Sequence, residues 1–286
     1  MTAEIITPEG KKEKLRFNNL LACEEPSILD KPKMDLAICM MIKKEDSYRI
    51  PELVAYHSLV GVDKFFIYYN FKEDELMANY RHFFEPLVNS GLVDLVPFYF
   101  KTKSLIDGLQ RCAYQDCLYK IKGRVKWLGF SDADEFFLLQ PNSQFNSLVD
   151  FLNSQNNEWT SFAFRTFMAG YGGEAKEFFA RKNSTLFLNE WLLFKDEHKL
   201  REPKSIYKTD ENEYVGVHWT PAHRDAMLHV PWQEALLGHY RYPYKNFTIK
   251  GIQSGSYVKN TNFKELYGQK VLEKLHSLGF GTNLNS

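Results

Sequence analysis

The sequence carries no excess of charge of either sign, because 36 lysines and arginines balance 36 aspartates and glutamates among its 286 residues. A chain with this balance has no global positive field that would attract nucleic acid or an anionic membrane. We therefore expect no nucleic-acid partner.

Long apolar runs are missing as well. No run approaches the ~18 residues that mark a membrane-spanning helix. The N-terminal residues also lack the basic segment leading into an apolar one that is typical of a secretory signal. These features predict a protein without a membrane span, located in the cytoplasm, with attachment to the periphery of a membrane as an alternative.

Cysteine is scarce, and its spacing excludes the simplest metal motifs. The four cysteines are Cys23, Cys39, Cys112 and Cys117, and no two of them form a CxxC pair. A zinc centre would need further ligands that the sequence does not obviously supply. We expect free thiols in a reducing compartment.

Short apolar runs alternate with amphipathic segments through the first half of the chain. The predicted strands cover residues 35–42, 64–69, 93–98 and 125–130, and the predicted helices cover residues 50–60, 73–85 and 104–121. Pro86 is expected to end the second of these helices. The alternation predicts an α/β fold with a doubly wound, mostly parallel sheet and helices on both faces.

The second half of the chain is less regular. Helices are expected at residues 148–153 and 263–278, strands at residues 161–167 and 214–219 and from residue 204, and a glycine-rich turn at residues 169–173. We interpret residues 1–33 as an N-terminal arm with at most one short strand. Residues 34–286 are expected to form a single domain, with halves at about 34–140 and 141–286.

Three carboxylates follow the predicted strand at residues 125–130. Asp132 and Asp134 are two residues apart and would share a face of an extended segment, and Glu135 comes next. Carboxylates between apolar runs must be solvated, paired or bound to metal, because a bare buried charge is very costly. We expect Asp132 and Asp134 to hold Mn²⁺ or Mg²⁺. The alternatives are a solvated turn, or a helix whose first turn contains Glu135.

Other polar residues are expected at the same edge of the sheet. The loop that begins at Lys43 and contains Glu45 follows the first of the parallel strands, and Asn70 follows the next. Ligands of open α/β sheets bind outside the carboxyl ends of the strands, so these residues are candidates for nucleotide binding. Ordinary solvation of a charged loop is the alternative for each of them.

Several segments, in this order, resemble glycosyltransferase family 92 and the related family-2-like bacterial glycosyltransferases. The segments are Lys43-Lys44-Glu45, residues 52–57 (ELVAYH), residues 61–68 (GVDKFFIY), Gln110 with residues 113–118 (AYQDCL), residues 127–136 (WLGFSDADEF), Lys204-Ser205-Ile206, Val217-His218 and His239-Tyr240. The sequence departs from the family pattern at four places: Lys44 replaces Asn, Leu53 replaces Trp, Gln115 replaces Asn, and Asn70-Phe71 replaces Asp-Asn.

The resemblance implies a GT-A-like fold with a catalytic domain over residues 34–286, whose donor half comes first and acceptor half second. It also implies transfer of a hexose, galactose in the first instance, from a UDP-linked nucleotide sugar to a glycan acceptor, with Mn²⁺ or Mg²⁺. The metal residues it implies are Asp132, Asp134 and His218. His239 is implied as a catalytic residue near the acceptor or the metal. The donor-binding candidates are Lys43, Glu45, Asn70, Gln110, Asp116 and Asp132.

An inverting transfer would also need a general base near the acceptor hydroxyl. The sequence does not choose among four acids in the second half of the chain: Glu190, Asp196, Asp225 and Glu234. Two other functions remain open, a non-catalytic relative that binds nucleotide sugars and another metal-dependent enzyme that acts on phosphate groups.

Overall fold

The structure is a computed structural model. It describes residues 2–6, 12–16, 34–99, 106–171, 191–194, 203–218, 226–240, 257–259 and 262–281. The chain forms two compact units, Met1–Lys31 and Pro32–Ser286. In the first unit, strand β1 (Thr2–Ile6) pairs antiparallel with strand β2 (Lys12–Arg16), so this segment contains two strands rather than one.

The second unit contains twelve described strands and six described α-helices. The strands are β3 (Met34–Ile42), β4 (Lys64–Tyr69), β5 (Val93–Pro97), β6 (Val125–Phe130), β7 (Glu135–Leu139), β8 (Ser161–Phe164), β9 (Thr166–Tyr171), β10 (Trp191–Phe194), β11 (Lys204–Lys208), β12 (Met227–His229), β13 (Ala235–Tyr240) and β14 (Tyr257–Lys259). The helices are α1 (Ile50–Leu59), α2 (Glu73–Glu75), α3 (Arg81–Asn89), α4 (Ile106–Ile121), α5 (Leu148–Ser154) and α6 (Asn262–Ser277). A 3-10 turn, Lys44–Arg49, precedes α1.

The main sheet has seven strands in the order β12-β8-β11-β6-β3-β4-β5. Strands β6, β3, β4 and β5 are parallel neighbours, and β11 is antiparallel to both of its neighbours. The predicted α/β class and mostly parallel sheet are confirmed.

Helices cover both faces of this sheet, as predicted. Alternate residues of β3 enter two separate apolar cores: Ile38 and Met40 pack on the side of α1, α3, α5 and α6, whereas Cys39 and Met41 pack on the side of α4. A strand that is buried on both faces has a continuous run of apolar residues, and β3 could be predicted for this reason.

The order of the strands reverses beside β3. The chain passes from β3 to β4 and β5 on one side, then returns through α4 to β6 on the other side. Such a reversal leaves a crevice outside the carboxyl ends of the two strands. The turn at residues 131–134 follows β6 at this edge.

A second sheet begins directly after that turn. Its five strands have the order β14-β10-β9-β13-β7, with β7 antiparallel to β13 and at one edge. The alternative in which Glu135 opens a helix is wrong, because Glu135 is the first residue of β7. The turn at residues 131–134 therefore joins the two sheets.

Two expectations for the first half needed correction at the predicted helix 73–85. The segment is divided into α2, a π-helical turn Leu76–Tyr80, and α3. Pro86 does not end α3, which continues to Asn89. Proline removes only one backbone donor, and Phe84 and Leu87, both buried, anchor the turn around it.

Two predicted strands of the second half were also wrong. Residues 161–167 form two strands, because β8 joins the main sheet and β9 joins the second sheet on either side of Arg165. Residues 214–218 are not a strand. The Gln115 side chain donates to the Glu213 carbonyl at 2.8 Å and accepts from the Val215 N–H at 3.2 Å, which replaces strand pairing there.

The glycine-rich segment is only partly described. Ala169, Gly170 and Tyr171 belong to β9 rather than to a turn, and residues 172–173 lie outside the described residues. In the part of the chain that the structure covers, no helix has both the length and the apolar character needed to cross a bilayer.

Candidate active site

The turn between β6 and β7 is held by a reciprocal pair of contacts. The backbone N–H of Glu135 donates to the Asp132 carbonyl at 3.1 Å, and the backbone N–H of Asp132 donates to Glu135 Oε2 at 2.8 Å. The Tyr240 N–H donates to the Asp134 carbonyl at 2.7 Å. Both sheets therefore contribute to the conformation of the turn.

Asp132 is bound from the main sheet and from α4. Gln110 Nε2 donates to its Oδ1 at 2.5 Å, and Lys204 Nζ lies 3.1 Å from its Oδ2. Gln110 also donates to the Tyr114 hydroxyl at 2.8 Å, and that hydroxyl donates to the Ser131 carbonyl at 3.2 Å. Gln110, a donor-binding candidate, therefore lies against the acidic turn.

Lys204 is a buried cation between two carboxylates. Its Nζ also lies 3.3 Å from Glu135 Oε2, and the side chains of Lys204 and Glu135 are 1% and 4% exposed. Burial acts to lower the pKa of Lys204, but the negative charges of Glu135 and Asp132 outweigh it, so the pKa is raised. Burial raises the pKa of Glu135 to about 7, against the opposing effect of Lys204.

Asp134 is contacted by a guanidinium and an imidazole on its other side. Arg49 Nη1 lies 3.3 Å and His239 Nε2 lies 3.5 Å from its Oδ2. Burial acts to raise the pKa of Asp134, but the hydrogen bond and charge of His239, together with Arg49, lower it overall. Arg49 is the last residue of the 3-10 turn after β3, and its side chain is buried.

His239 is placed between Asp134 and Glu135 by the pairing of β13 with β7. His239 lies opposite Glu135 in this ladder, and its Nδ1 is 3.6 Å from Glu135 Oε1. Burial acts to lower the pKa of His239, but Asp134 and Glu135 raise it overall. The structure therefore brings His239 into the acidic cluster.

The predicted nucleotide-binding loop lies at the same edge. The Asn70 N–H donates to the Ile42 carbonyl at 2.9 Å, which sets the ends of β4 and β3 side by side. The Lys43 N–H donates to Asp46 Oδ2 at 3.1 Å, and the side chains of Lys43 and Glu45 are exposed. Burial raises the pKa of Asp46, and the charge of Asp134 adds to this effect.

Two other candidates have their described contacts elsewhere. Asp116 accepts from the Tyr68 hydroxyl at 2.7 Å and pairs with Lys120 at 2.6 Å. It lies six residues beyond Gln110 on α4, about 9 Å along the helix axis. The His218 carbonyl accepts from Ser205 Oγ at 3.1 Å, next to Lys204 in sequence.

Among the general-base candidates, only Glu234 falls within the described residues. It precedes β13 at the end where Ala235 pairs with Leu139, about 16 Å of strand away from His239. Ser143 Oγ donates to its Oε2 at 2.7 Å. The structure therefore does not bring Glu234 to the acidic turn. Glu190, Asp196 and Asp225 lie outside the described residues.

Sequence reasoning missed the two buried cations of the site, Arg49 and Lys204. Each is distant in sequence from its carboxylate partner, so no local spacing connects them. Lys204 did carry an indication, because a lysine that opens an apolar strand (KSIYK) must find a carboxylate if the strand is buried.

The oxygen donors at the turn suit a hard divalent cation. The side chains of Asp132 and Asp134 are 37% and 22% exposed, so an ion from solvent can reach them. A divalent ion that bound here would contact the Asp132 carboxylate beside Lys204 and the Asp134 carboxylate beside Arg49. Within the described ranges, no group of three or more His, Cys, Asp or Glu side chains has an arrangement that could hold a metal ion, so His218 as a third ligand stays a prediction.

Comparison with known proteins places most of the chain in one family. The family model described as glycosyltransferase family 92 matches residues 34–277. A family 92 protein of Ricinus communis is 24% identical over 230 residues, which covers 78% of this chain and 38% of that protein. A family 92 protein of Arabidopsis thaliana is 28% identical over 105 residues, covering 37% of this chain and 16% of that protein.

The chain therefore spans less than half the length of these relatives. Among solved structures, it is similar to the mannosyltransferase PcManGT from Pyrobaculum calidifontis, in complex with GDP-Man and Mn²⁺. The identity is 11% and the TM-score is 0.41, with 89% of this chain and 76% of that chain covered.

Proposed function

Because the chain belongs to glycosyltransferase family 92, we propose that it transfers a hexose from a nucleotide sugar to a glycan acceptor. Galactose is the hexose and UDP the nucleotide that we would test first. In this reaction the acceptor oxygen bonds to the anomeric carbon of the sugar, and the bond from that carbon to the diphosphate oxygen breaks. The hydroxyl proton passes to a general base.

One observation supports this proposal above the others. The carboxylate of Asp132 follows β6 at the edge where the strand order reverses between β6 and β3. This crevice is where α/β sheets of this kind bind nucleotides. A nucleotide-sugar site is therefore expected where the structure concentrates its buried charge.

The nucleoside would lie beyond the ends of β3 and β4. The exposed Lys43 and Glu45 and the half-buried Asn70 are available there for polar contacts with a base and a ribose. Gln110 would orient Asp132 from α4, because its amide binds Oδ1. Asp116 is proposed as a further donor-binding residue about one and a half turns along the same helix.

Asp132 and Asp134 would hold Mn²⁺ or Mg²⁺, with His218 proposed as a further ligand. The ion would supply positive charge for the diphosphate leaving group as the glycosidic bond breaks. Arg49 supports the same end, because its buried guanidinium fixes Asp134 in place.

His239 is proposed on the acceptor side of this cluster, where Asp134 and Glu135 fix its ring. Because Glu234 lies at the far end of β13, we propose that the general base is one of Glu190, Asp196 and Asp225.

The test is transfer and donor hydrolysis with a panel of UDP- and GDP-hexoses, with Mn²⁺ and with a chelator. Asp134→Asn and Asp132→Asn should each lower turnover about 100-fold or more, as loss of charge stabilisation at a leaving group does. Asp94→Asn is the matched control, because Asp94 is half exposed on β5 and pairs only with Lys64 among its described contacts.

Three results would contradict the proposal. Unchanged turnover in Asp134→Asn would remove the metal assignment. Tight calorimetric binding of a nucleotide sugar without turnover by the wild-type chain would indicate a non-catalytic relative. Release of phosphate from a simple ester would indicate a phosphate-handling enzyme instead.

A further inference from the structure

One ammonium group is shared by two carboxylates of the acidic turn. Lys204 Nζ lies 3.1 Å from Asp132 Oδ2 and 3.3 Å from Glu135 Oε2, and the lysine side chain is almost completely buried. Both carboxylates attract the same cation in a medium that screens charge weakly. Lys204 therefore neutralises each carboxylate less than it would if the other were absent.

The two carboxylates differ in their access to solvent. More than a third of the Asp132 side chain is exposed, whereas Glu135 is enclosed by Lys204, His239 and the turn itself. An ion from solvent can therefore reach Asp132 but not Glu135 without rearrangement. Glu135 can therefore neutralise Lys204, but it cannot itself bind an ion that arrives from solvent.

We propose that Glu135 holds Lys204 away from full pairing with Asp132, so that Asp132 keeps enough negative charge to bind the divalent cation. Glu135 and Lys204 are then positioning residues, and neither touches the ion. This inference rests on the proposed function only in assuming that Asp132 binds a divalent cation.

The net charge of the cluster predicts how tightly each variant should bind the divalent cation. Asp132, Glu135 and Lys204 together carry a net charge of about −1 when all are ionised. Glu135→Gln removes one negative charge and leaves Lys204 to pair with Asp132 alone. Adding Lys204→Met restores the original sum, and Met fills a similar buried space.

The glutamine variant also preserves the turn. Glu135 Oε2 accepts from the Asp132 N–H at 2.8 Å, and the amide oxygen of Gln can accept the same hydrogen bond. Replacing both members of a buried ion pair with neutral side chains of similar size often leaves stability unchanged. The double variant is therefore expected to fold.

The experiment measures binding of Mn²⁺ alone, from the electron paramagnetic resonance signal of the free ion. It compares the wild-type chain, Glu135→Gln and Glu135→Gln/Lys204→Met at one pH of about 8, well above the ordinary pKa of a glutamate. Glu135→Gln should weaken binding about tenfold or more, and the double variant should return to within about threefold of the wild type. Circular dichroism checks that each variant is folded.

The matched control is Lys208→Met/Glu211→Gln. This pair is also a lysine and a glutamate, 3.2 Å apart at the end of the same strand, but Glu211 is half exposed. It should leave Mn²⁺ binding unchanged.

The outcomes separate this inference from the proposed function. If the double variant binds Mn²⁺ as weakly as Glu135→Gln, Glu135 is itself a ligand and the inference is wrong. If Glu135→Gln binds as the wild type does, the inference is wrong while the metal site stands. If the wild-type chain binds no Mn²⁺, the metal part of the proposed function is overturned, and the inference with it.

Discussion

The backbone N–H of Phe137 donates a hydrogen bond to Nε2 of His57 across 3.1 Å. The Nδ1 of the same ring lies 2.9 Å from the Leu53 carbonyl. A carbonyl can only accept and a backbone N–H can only donate, so His57 is neutral with its proton on Nδ1. His57 thus supplies one of the hydrogen bonds that the edge strand β7 lacks from a neighbouring strand.

This arrangement predicts a stability that falls in acid. Burial lowers the pKa of His57 to about 3, from an ordinary value near 6.5. Between these values the unfolded chain binds the proton more readily, so the free energy of unfolding falls as the pH falls, by about 1.4 kcal/mol per pH unit from this group. Urea unfolding at several pH values measures the slope.

The comparison is between His57→Gln and His276→Gln. The first should lose this contribution to the slope, whereas the second should keep it because His276 is exposed on α6. Equal slopes in the wild type and in His57→Gln would show that His57 does not resist protonation.

Tyr56→Phe should destabilise the protein by about 1–3 kcal/mol. The Tyr56 hydroxyl donates to the Phe137 carbonyl at 3.2 Å and accepts from the Leu139 N–H at 3.4 Å, so the variant leaves two buried backbone groups of β7 unpaired. Chemical denaturation measures the loss. Tyr119→Phe, at an exposed tyrosine of α4, should change stability by less than ~0.5 kcal/mol. A similar loss in both variants would contradict the role of the hydroxyl.

Arg49→Met should cost about 1–3 kcal/mol, because Asp134 loses the buried guanidinium and keeps only His239 as a partner. The control is Arg81→Met, which removes an arginine from an exposed pair with Glu85 and should cost less than ~1 kcal/mol. Thermal or urea unfolding of the two variants gives the comparison. Equal costs would mean that the Arg49–Asp134 pair contributes no more than a surface pair.

Gly238→Ala should destabilise β13 by about 1–3 kcal/mol through overpacking. An added Cβ would lie 2.6 Å from Leu138 Cδ1 and 2.9 Å from Tyr240 Cε2, and both side chains are buried. Gly108→Ala is the control, because its Cβ would meet no atom within 4 Å and alanine favours a helix. Denaturation midpoints test both. If Gly238→Ala left the stability unchanged, the side chains of Leu138 and Tyr240 would be able to move and make room for the added Cβ.

The sequence was most informative where burial leaves a strong pattern. The runs that became β3, β4 and β6 are continuous and apolar because helices cover both faces of the sheet, and the bounds of β6 match the prediction. By contrast, β7 was missed. Its five residues are too short for periodicity to distinguish a strand from a buried helix, and His57 and Tyr56, which support it, are remote in sequence.

The site shows the same division. Asp132 and Asp134 could be found because carboxylates between apolar runs require an explanation within the local sequence. Lys204 and Arg49 could not be assigned, because strand order alone brings β11 beside β6 and the turn after β3 beside Asp134. His239 was a candidate only through the family resemblance, and its place opposite Glu135 is fixed by the β13–β7 register.

The turn at residues 131–134 is held by contacts from both sheets. Asp132 is fixed by Lys204 from the main sheet, and Asp134 is fixed by His239 from the second sheet. The distance between these two carboxylates thus depends on how the two sheets pack against each other. A substitution deep in the packing between the sheets, far from the turn, can therefore change the distance between the two carboxylates, and with it the geometry of the metal site that we propose.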